Sequence, residues 1–390
     1  MTGPLAGLVV VDVATLNAAP QIAACFGDLG ARVIKVEHPR GDPLRQLLDE
    51  HGVALQWKLA NRNKECVTLD VTREDGRALL DGLLARADVL VSALSAERLL
   101  AWSLDAPSLR ARHPRLVAVN LTTYGTSGPW RDRPGSGTLA EAATGLAHLT
   151  GPPDAPPTLA PVGLGDYLGV LQGIIAALVG LATRDGDGPR TFDIAMTEPL
   201  LGLLGQRLAQ AARSGVDPGR HGNRFPTMAP RNTYQAADGR WVAITAGTDD
   251  LARRLFDVIG RPELADDPSF RTNRARLEHV DALDRTIGAW VGMRGAVEAV
   301  ETLLGARVSA AVVDDLPAVL ANPHFAVRGD LVTVDDPDAG HVTTAAPFVA
   351  GHGSVRHLGR DLGADNDTVY GEWLGLPEDA LARLRAARVI

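Results

Sequence analysis

Asp166 is the side chain in this sequence that is best placed to take part in a chemical reaction. It lies in Pro161-Val-Gly-Leu-Gly-Asp-Tyr-Leu-Gly169, where glycines permit close approach of a ligand and apolar neighbours flank the carboxylate. The uncharged run that follows predicts a buried helix from about Asp166 to Thr183, and Asp is a preferred residue for capping a helix start. A carboxylate placed in this way could also attack a carbonyl group without a general base, because it stays ionised at neutral pH. The local pattern leaves both interpretations open.

The common enzymatic signatures are mostly missing. There is no phosphate loop ending in Gly-Lys, no Gly-x-Ser-x-Gly and no His-Glu-x-x-His. The run Gly135-Ser-Gly137-Thr-Leu-Ala140 matches a dinucleotide fingerprint only nominally, because it follows a proline-rich turn and not a strand. Cys25 and Cys66 lack the spacing of metal ligands, which predicts reduced thiols and no metal site.

The elements that must position Asp166 begin with a compact βαβ unit. An apolar, β-branched run at Leu8–Val13 is followed by a helix that Pro20 could open and Gly30 could close, and then by a strand at Arg32–Glu37. Similar strands and helices continue as far as Leu116–Leu121. Continuous apolar strands joined by helices predict a doubly wound, parallel, Rossmann-like α/β sheet. A ligand of such a fold binds at the carboxyl ends of the strands.

The rest of the chain predicts a second, smaller α+β domain joined by two long linkers. The Asp238-Gly239 turn before an apolar run indicates a hairpin, and amphipathic helices follow it. A final amphipathic segment must bury its leucines, so the C-terminal helices are expected to return to the large domain. The predicted boundaries are a large domain at 1–200, a linker at 201–230, a small domain at 231–325, a linker at 326–347 and a C-terminal segment at 348–390.

Charge and composition exclude several classes of function. The chain has 39 Lys and Arg against 47 Asp and Glu, a net charge of −8, which is unlike a general nucleic-acid binder. Residues 31–64 carry seven basic against four acidic residues, so an anionic ligand is expected near that segment. The first residues do not resemble a signal peptide, and the longest uncharged run, Tyr167–Thr183, is 17 residues and slightly short for a membrane span. These features predict a cytoplasmic protein that binds neither nucleic acid nor membrane.

Several short motifs occur along the chain in a defined order. Each motif alone is weak evidence of a protein family, but the ordered set is specific. They are Asp28-Leu-Gly-Ala-Arg-Val-Ile-Lys-Val-Glu37, Pro39-Arg-Gly-Asp42, Asn61-Arg-Asn-Lys64, Gly125-Thr-Ser-Gly-Pro129, Gly165-Asp166, Gly222-Asn-Arg224 and Asn322-Pro-His324. The ordered set resembles the family III CoA transferases, the CaiB/BaiF family that includes formyl-CoA and carnitine-CoA transferases. The resemblance extends over nearly the whole chain.

The resemblance implies a CoA transferase that moves CoA from an acyl-CoA donor to a carboxylic acid. Asp166 would form an aspartyl anhydride and then an aspartyl-CoA thioester. CoA would be a substrate, with no tightly bound cofactor and no metal. The chain would form an intertwined homodimer in which each protomer is a ring that the other passes through. The residues implied to bind CoA are Asn17, Ala18, His38, Leu69, Asp70, Val71, Thr72, Arg98, Tyr124 and Gly125.

The chain departs from the family pattern in three places. Many members have Glu-Asn-Phe-Arg-Pro-Gly where this chain has Ser92–Glu97, so an arginine for CoA is missing unless Arg98 replaces it. The glycine run that covers the intermediate in formyl-CoA transferases is replaced by Phe225–Pro230. The racemase branch has Gly-His-Asp where this chain has Gly135-Ser136-Gly137, which removes a second base. An acyl-CoA racemase or epimerase, and a protein that binds CoA esters without turnover, remain the alternatives. The donor and acceptor acids are not identified by the sequence.

Overall fold

A computed structural model of the protein describes residues 3–186, 188, 190–349 and 351–390. The chain divides into two compact units. The large unit contains the chain up to Leu146, then Ala160–Arg213 and Pro323–Ile390, and the small unit contains Ala147–Leu159 and Ser214–Asn322. The first elements in chain order are β1 (Val9–Asp12), α1 (Ala18–Asp28), β2 (Arg32–Glu37), α2 (Leu55–Ala60), β3 (Glu65–Thr68), α3 (Glu74–Leu84), β4 (Val89–Ser92), α4 (Ala96–Ala101), α5 (Ala106–Arg112), β5 (Val117–Thr122), α6 (Gly137–Ala143), α7 (Leu146–Leu149), α8 (Leu164–Thr183), β6 (Thr191–Ala195), α9 (Thr197–Leu203) and α10 (Gly205–Ser214).

The large unit is built on a six-stranded parallel sheet with the order β3-β2-β1-β4-β5-β6. This confirms the predicted doubly wound α/β class. Alternate residues of each strand enter different cores: Val10 packs on one face with Phe26 of α1, and Val11 packs on the other with Leu83 of α3. Because both faces are buried, apolar residues occupy most positions of the strands on both faces, as in Val9–Val11 of β1.

The small unit has a three-stranded antiparallel sheet packed against helices. Its turn at Gly239 has a φ of +81°, which glycine adopts without steric cost. The core is formed by sheet residues such as Val242 and Ile244 with helix residues such as Phe256 and Ile287. Its elements are β7 (Arg231–Gln235), β8 (Trp241–Thr245), α11 (Asp249–Val258), α12 (Asn273–Glu278), α13 (Val280–Val291), α14 (Ala296–Gly305), β9 (Ser309–Val312) and α15 (Leu316–Ala321).

The remaining chain returns to the large unit as α16 (Pro323–Arg328), β10 (Leu331–Asp336), β11 (Gly340–Ala345) and α17 (Glu378–Ala386). It covers the edge strand β3: Cys66 N donates to Asp365 Oδ2 at 2.7 Å and Thr68 N to Asn366 Oδ1 at 2.9 Å. Backbone groups that would otherwise be open for pairing with another strand are therefore satisfied within the chain.

The segments expected to be linkers contain regular structure. In the first, 201–230, the helical chain continues to Ser214, and only the part beyond α10 lacks helix or strand apart from a single bridge between Phe225 and Met228. In the second, 326–347, β10 and β11 form an antiparallel hairpin with Val334 and Val342 buried beneath it. This hairpin was not predicted, because it alternates buried apolar residues with polar neighbours, which is a weak signal in a short segment.

Helix α8 is long and apolar enough to cross a membrane by length and composition, with a mean hydropathy of 1.7, but one third of that window is buried within the chain. Its buried face is mostly glycine and alanine. Large side chains face outward: Ile175, Leu178 and Val179 are 62%, 40% and 44% exposed. The sequence predicted a buried helix, whereas the structure buries only the small-residue face within this chain.

Candidate functional site

The carboxyl ends of the parallel strands carry all the loops that were expected to bind CoA. Since β1 to β5 run in the same direction, the segments that follow them emerge at one edge of the sheet. This edge brings residues from five separate parts of the sequence to the same side of the large unit. They are Asn17 and Ala18 after β1, His38 after β2, Leu69, Asp70, Val71 and Thr72 after β3, Arg98 after β4, and Tyr124 and Gly125 after β5.

Three glycines place the start of α8 at this same edge. An added Cβ at Gly169 would lie 3.0 Å from Leu121, at Gly173 3.7 Å from Val119, and at Gly180 2.6 Å from Val117. The helix therefore runs antiparallel to β5 in close contact with it, and its first turn lies beside the carboxyl end of that strand. Asp166 is in that first turn.

Asp166 does not cap α8, which corrects the sequence interpretation. The N-cap residue is Gly163, and Asp166 is the third residue of the helix. Its carboxylate lies in a cradle formed by glycines: an added Cβ at Gly137 would come within 2.7 Å of its Oδ2, and one at Gly163 within 2.4 Å. The backbone of Gly137 also hydrogen-bonds to the carboxylate. The close approach requires residues without side chains at both positions.

The pKa of Asp166 is raised above its ordinary value of 3.8. The main cause is burial, the Gly137 hydrogen bond opposes it, and the charge of Glu141 adds to the rise. Glu141 is only 2% exposed, and its Oε1 accepts a hydrogen bond from Gly165 N at 3.1 Å. A second carboxylate on α6 thus holds the turn that presents Asp166 and makes Asp166 more basic.

Replacing Glu141 by Gln tests this electrostatic coupling. Gln retains an acceptor for Gly165 N but removes the negative charge, so the pKa of Asp166 should fall. If ionised Asp166 is the reactive form, the transfer rate falls in acid as Asp166 is protonated. In Glu141→Gln this fall should occur at lower pH than in wild type. The rate on the plateau above this acid limb, where the carboxylate is ionised in both proteins, stays within about threefold. The matched control is Glu198→Gln, which removes a carboxylate that hydrogen-bonds Gln172 further along α8. A limb that stays in place, or that moves equally in both variants, would contradict the coupling.

Replacing Gly137 by Ala tests the glycine cradle. The new methyl group would lie 2.7 Å from Asp166 Cγ, so the carboxylate must move. We expect the turnover rate to fall about 100-fold, since small displacements of a reacting group have effects of this size. Gly305→Ala is the control, because an added Cβ there meets nothing within 4 Å. Equal activity of the two variants, measured at saturating substrate, would show that the cradle does not set the position of Asp166.

Asn17 connects the β1 loop to the start of α8. It occupies the N-cap position of α1, although its side chain caps nothing, and it accepts hydrogen bonds from Gln21 Nε2. Asn17, Gln21 and Tyr167, the residue after Asp166, line a cavity of about 290 Å³. Ala18 is the first residue of α1 and is 6% exposed. The structure therefore brings one predicted CoA loop and the neighbour of the candidate nucleophile to one cavity.

The residues after β2 and β3 are partly engaged within the chain. Leu69 N donates to Glu37 O at 2.6 Å and Asp70 N to Val389 O at 2.7 Å. The Asp70 carboxylate accepts hydrogen bonds from the hydroxyl and the N–H of Thr72, which hold the pKa of Asp70 below its ordinary value. Val71 is buried in the core, and His38 Nε2 lies 3.9 Å from Asp70 Oδ1. The backbone amides of Leu69, Asp70 and Thr72 thus have partners inside the protein.

The residues after β4 and β5 differ in exposure: Arg98 is exposed, Tyr124 is half-buried and Gly125 is buried. Arg98 is exposed on α4 and has no carboxylate partner within the described part of the chain. Tyr124 packs edge-on against Trp130 with ring centroids 5.4 Å apart. Gly125 has a φ of +79°, and its N–H donates to Thr122 Oγ1 at 2.9 Å.

Most basic residues of segment 31–64 form ion pairs within the chain, so they do not supply the free positive charge on which the expected anion site near this segment was based. Lys35 and Lys64 are fully buried beside Asp12. The remaining pairs are Arg32 with Glu65, Arg45 with Glu37, Lys58 with Asp336 and Arg62 with Asp28. Among the seven, Arg40 alone lacks a carboxylate partner in the residues that the structure describes. Counting the charges of one segment does not reveal carboxylate partners that lie far away in the sequence.

Sequence reasoning missed three residues at the site: Gly137, Gly163 and Glu141. Gly137 was noticed only as part of a nominal dinucleotide fingerprint, whereas Ser136 caps α6 and Gly137 contacts Asp166. The signal available in the sequence was the pair of Gly-rich segments 135–137 and 163–165, which could have been interpreted as two backbones in close contact. The described residues contain no group of three or more His, Cys, Asp or Glu side chains that could hold a metal ion.

Comparison with known proteins gives a match over nearly the whole chain. The model of CoA-transferase family III matches residues 5–366. Succinyl-CoA–D-citramalate CoA-transferase of Chloroflexus aurantiacus is 34% identical, over 99% of this chain and 98% of that protein. The beta subunit of succinyl-CoA–L-malate CoA-transferase from the same organism is 34% identical, over 100% of this chain and 98% of its own length. Succinate–glutarate CoA-transferase of Agrobacterium fabrum is 30% identical over 86% of each chain.

Solved structures give the same result. A CaiB/BaiF family protein from Brucella suis superposes with a TM-score of 0.82 at 30% identity, over 95% of this chain and 100% of that one. Rv3272 from Mycobacterium tuberculosis superposes with a TM-score of 0.81 at 27% identity, over 94% and 99% of the two chains.

Proposed function

The chain belongs to CoA-transferase family III, and from this membership we propose that Asp166 is the nucleophile that carries an acyl group during the transfer of CoA. The protein is a CoA transferase that acts between an acyl-CoA and a carboxylic acid. The observation that supports the role of Asp166 most strongly is its place in a glycine cradle at the carboxyl edge of the sheet. Burial raises its pKa, which makes the ionised carboxylate a better nucleophile.

The proposed reaction consists of four acyl transfers without net proton uptake. An Asp166 oxygen attacks the thioester carbonyl, the C–S bond breaks, and a mixed anhydride and CoA thiolate form. The thiolate attacks the Asp166 carbonyl, releasing the donor acid and leaving an aspartyl-CoA thioester. The acceptor carboxylate attacks that thioester to form a second anhydride and free the thiolate. The thiolate then attacks the acceptor carbonyl, giving the new acyl-CoA and regenerating the Asp166 carboxylate.

We propose that the donor is succinyl-CoA and that the acceptor is a dicarboxylic acid. Relatives with these names include transferases of succinyl-CoA with citramalate, malate and mesaconate. The cavity beside Asn17 and Tyr167 supports a short, polar acid, because the amides of Gln21 and Gln56 line it together with the ring of Phe348. The guanidinium of Arg62, which also lines the cavity, already binds Asp28, so the polar groups that line it are mainly neutral amides.

A matrix of acyl-CoA donors and carboxylic acids, analysed by mass spectrometry, tests this assignment. We expect exchange with succinyl-CoA and a four- or five-carbon dicarboxylate, and little with monocarboxylates of equal length. Scrambling of the configuration at the α-carbon of an acyl-CoA in the absence of an acceptor acid would favour the racemase alternative. Binding of CoA esters without exchange of label would favour a protein without turnover.

We also propose that two copies assemble as an intertwined homodimer. The large unit contains both the first and the last parts of the chain, so the path of the backbone closes on itself. The exposed face of α8, with Ile175, Leu178 and Val179, continues into α9, where Leu201 and Leu203 are 43% and 59% exposed. An apolar surface of this kind marks an interaction site.

Subunit exchange between tagged and untagged protein tests the intertwined form. Light scattering at micromolar concentration should give the mass of a dimer. Separately purified dimers should form no hybrids over hours in native buffer, whereas co-expressed tagged and untagged chains should, because linked rings separate only by unfolding. A monomeric mass, or rapid hybrid formation, would contradict the proposal. A requirement for a second, different chain would indicate a hetero-oligomer like the relatives named as alpha and beta subunits.

A further inference from the structure

The loop between β1 and α1 contains a strained residue, Leu16. Its φ is +65°, in the left-handed region that a residue with a side chain adopts only at a cost in free energy. The side chain is 52% exposed, so packing within the chain does not compensate for that cost. Leu16 directly precedes Asn17 and Ala18, the loop residues implied to bind CoA. An external restraint must therefore hold the backbone in this conformation.

Three buried charged side chains supply that restraint. Leu16 N donates to Asp42 Oδ2 at 3.0 Å, and Ala14 N donates to Asp12 Oδ1 at 2.9 Å. Lys35 Nζ donates to Ala14 O and lies 4.0 Å from Asp42 Oδ2 and 3.6 Å from Asp12 Oδ2. Asp12 and Lys35 are inaccessible to solvent, and Asp42 is 3% exposed. Charged groups from two strands and the loop after β2 thus bind both polar groups of Ala14 and the amide of Leu16.

We propose that Asp42, supported by Lys35, is a positioning residue that holds Leu16 in the left-handed conformation and so presets the loop for acyl-CoA. This inference rests on the proposed function. Asp42 also caps a short 3-10 helix by accepting Leu44 N at 2.9 Å, a role that needs no contact with Leu16. If Asp42 only capped this 3-10 helix, the conformation of Leu16 would not affect the affinity for CoA. If Asp42 presets the loop, losing the left-handed conformation of Leu16 lowers the affinity for CoA, because a ligand binds more weakly when only a fraction of molecules holds the conformation that binds it.

The test combines removal of the restraint with removal of the strain. In Asp42→Ala, the dissociation constant of CoA and the KM for acyl-CoA should rise about tenfold, while kcat changes less than about threefold. Adding Leu16→Gly to that variant should bring both constants back to within about threefold of wild type, since glycine adopts positive φ freely. Adding Leu16→Ala is the matched control: it removes the same side chain but keeps the strain, so no recovery is expected. Asp42→Asn, which retains an acceptor for Leu16 N, should bind CoA within about threefold of wild type.

Hydrogen exchange of the peptide that contains residues 9–20 gives a readout independent of activity. The amides of Ala14 and Leu16 should be protected in wild type, and that of Leu16 should exchange faster in Asp42→Ala. Equal recovery with Gly and Ala at position 16, or a fall in kcat without a change in CoA affinity, would overturn the inference. If Asp42→Ala does not fold, Asp42→Ser takes its place, because serine still caps the 3-10 helix at Leu44 N but has only one acceptor for the two amides. CoA affinity must then fall, and Leu16→Gly but not Leu16→Ala must restore it. Wild-type protein that fails to bind CoA would instead contradict the proposed function, and the exchange data would still report on the restraint.

Discussion

Asp166→Asn is expected to lose CoA transfer by at least about 10⁴-fold while keeping the fold, because the amide cannot form the covalent intermediates. Its stability should not fall. The pKa of Asp166 is raised in the folded protein, so its ionised form is disfavoured by folding and costs stability at neutral pH. That cost disappears only as the pH falls through the raised pKa, and a neutral Asn never incurs it. The thermal midpoint of Asp166→Asn at pH 7 is therefore equal to or above that of wild type.

The covalent intermediate can be trapped directly. Wild-type protein, incubated with an acyl-CoA donor and hydroxylamine, should yield a hydroxamate on the peptide that contains Asp166, and Asp166→Asn should yield none. The matched control is Asp105→Asn, which changes an N-cap carboxylate of α5 to another good capping residue and should remain fully active. Near wild-type transfer by Asp166→Asn, verified by mass to be free of deamidation, would show that Asp166 is not the nucleophile.

Among the variants proposed, Asp12→Ala is expected to lower the free energy of unfolding most, by about 3–5 kcal/mol. The substitution leaves two buried lysines without the carboxylate that they share. Asp12 Oδ2 lies 2.8 Å from Lys64 Nζ and 3.6 Å from Lys35 Nζ, and all three side chains are inaccessible to solvent. Burial alone would raise the pKa of Asp12, but the two ammonium charges and the hydrogen bonds hold it below its ordinary value. Urea unfolding at pH 7, followed by tryptophan fluorescence, measures the loss.

The pH dependence of this contribution has a definite sign. Because the pKa of Asp12 is lower in the folded protein than in the unfolded chain, its stabilisation is present above the ordinary pKa of 3.8 and is lost as the pH falls below it. The difference in unfolding free energy between wild type and Asp12→Ala should therefore shrink in acid. Asp81→Ala is the control: this carboxylate is 41% exposed beside Arg112 and His113, and its loss should cost less than about 1 kcal/mol. Equal losses in the two variants would mean that burial does not strengthen the Asp12 interactions.

Much of the fold was predictable because its signals are local. The strand at Leu8–Val13 and the helix that ends near Gly30 depend on the local hydrophobic pattern and on residues that begin or end a helix within a few positions. The parallel sheet follows from such units in series, and the carboxyl edge then follows from the direction of the strands. The hairpin in 326–347 and the exposed face of α8 were not predicted, since burial at those positions depends on which distant surface packs there.

The candidate site divides in the same way. The sequence by itself determined the class of fold, the family resemblance and the choice of Asp166, because each of these depends on residue type and order along the chain. Only the tertiary structure decided that Asp166 lies in the third helical position between Gly137 and Gly163, with Glu141 behind it. It also decided that Lys35 and Lys64 are buried beside Asp12 and are not part of a basic surface. The physical reason is that burial, charge pairing and pKa depend on groups that come together in space from separate parts of the chain.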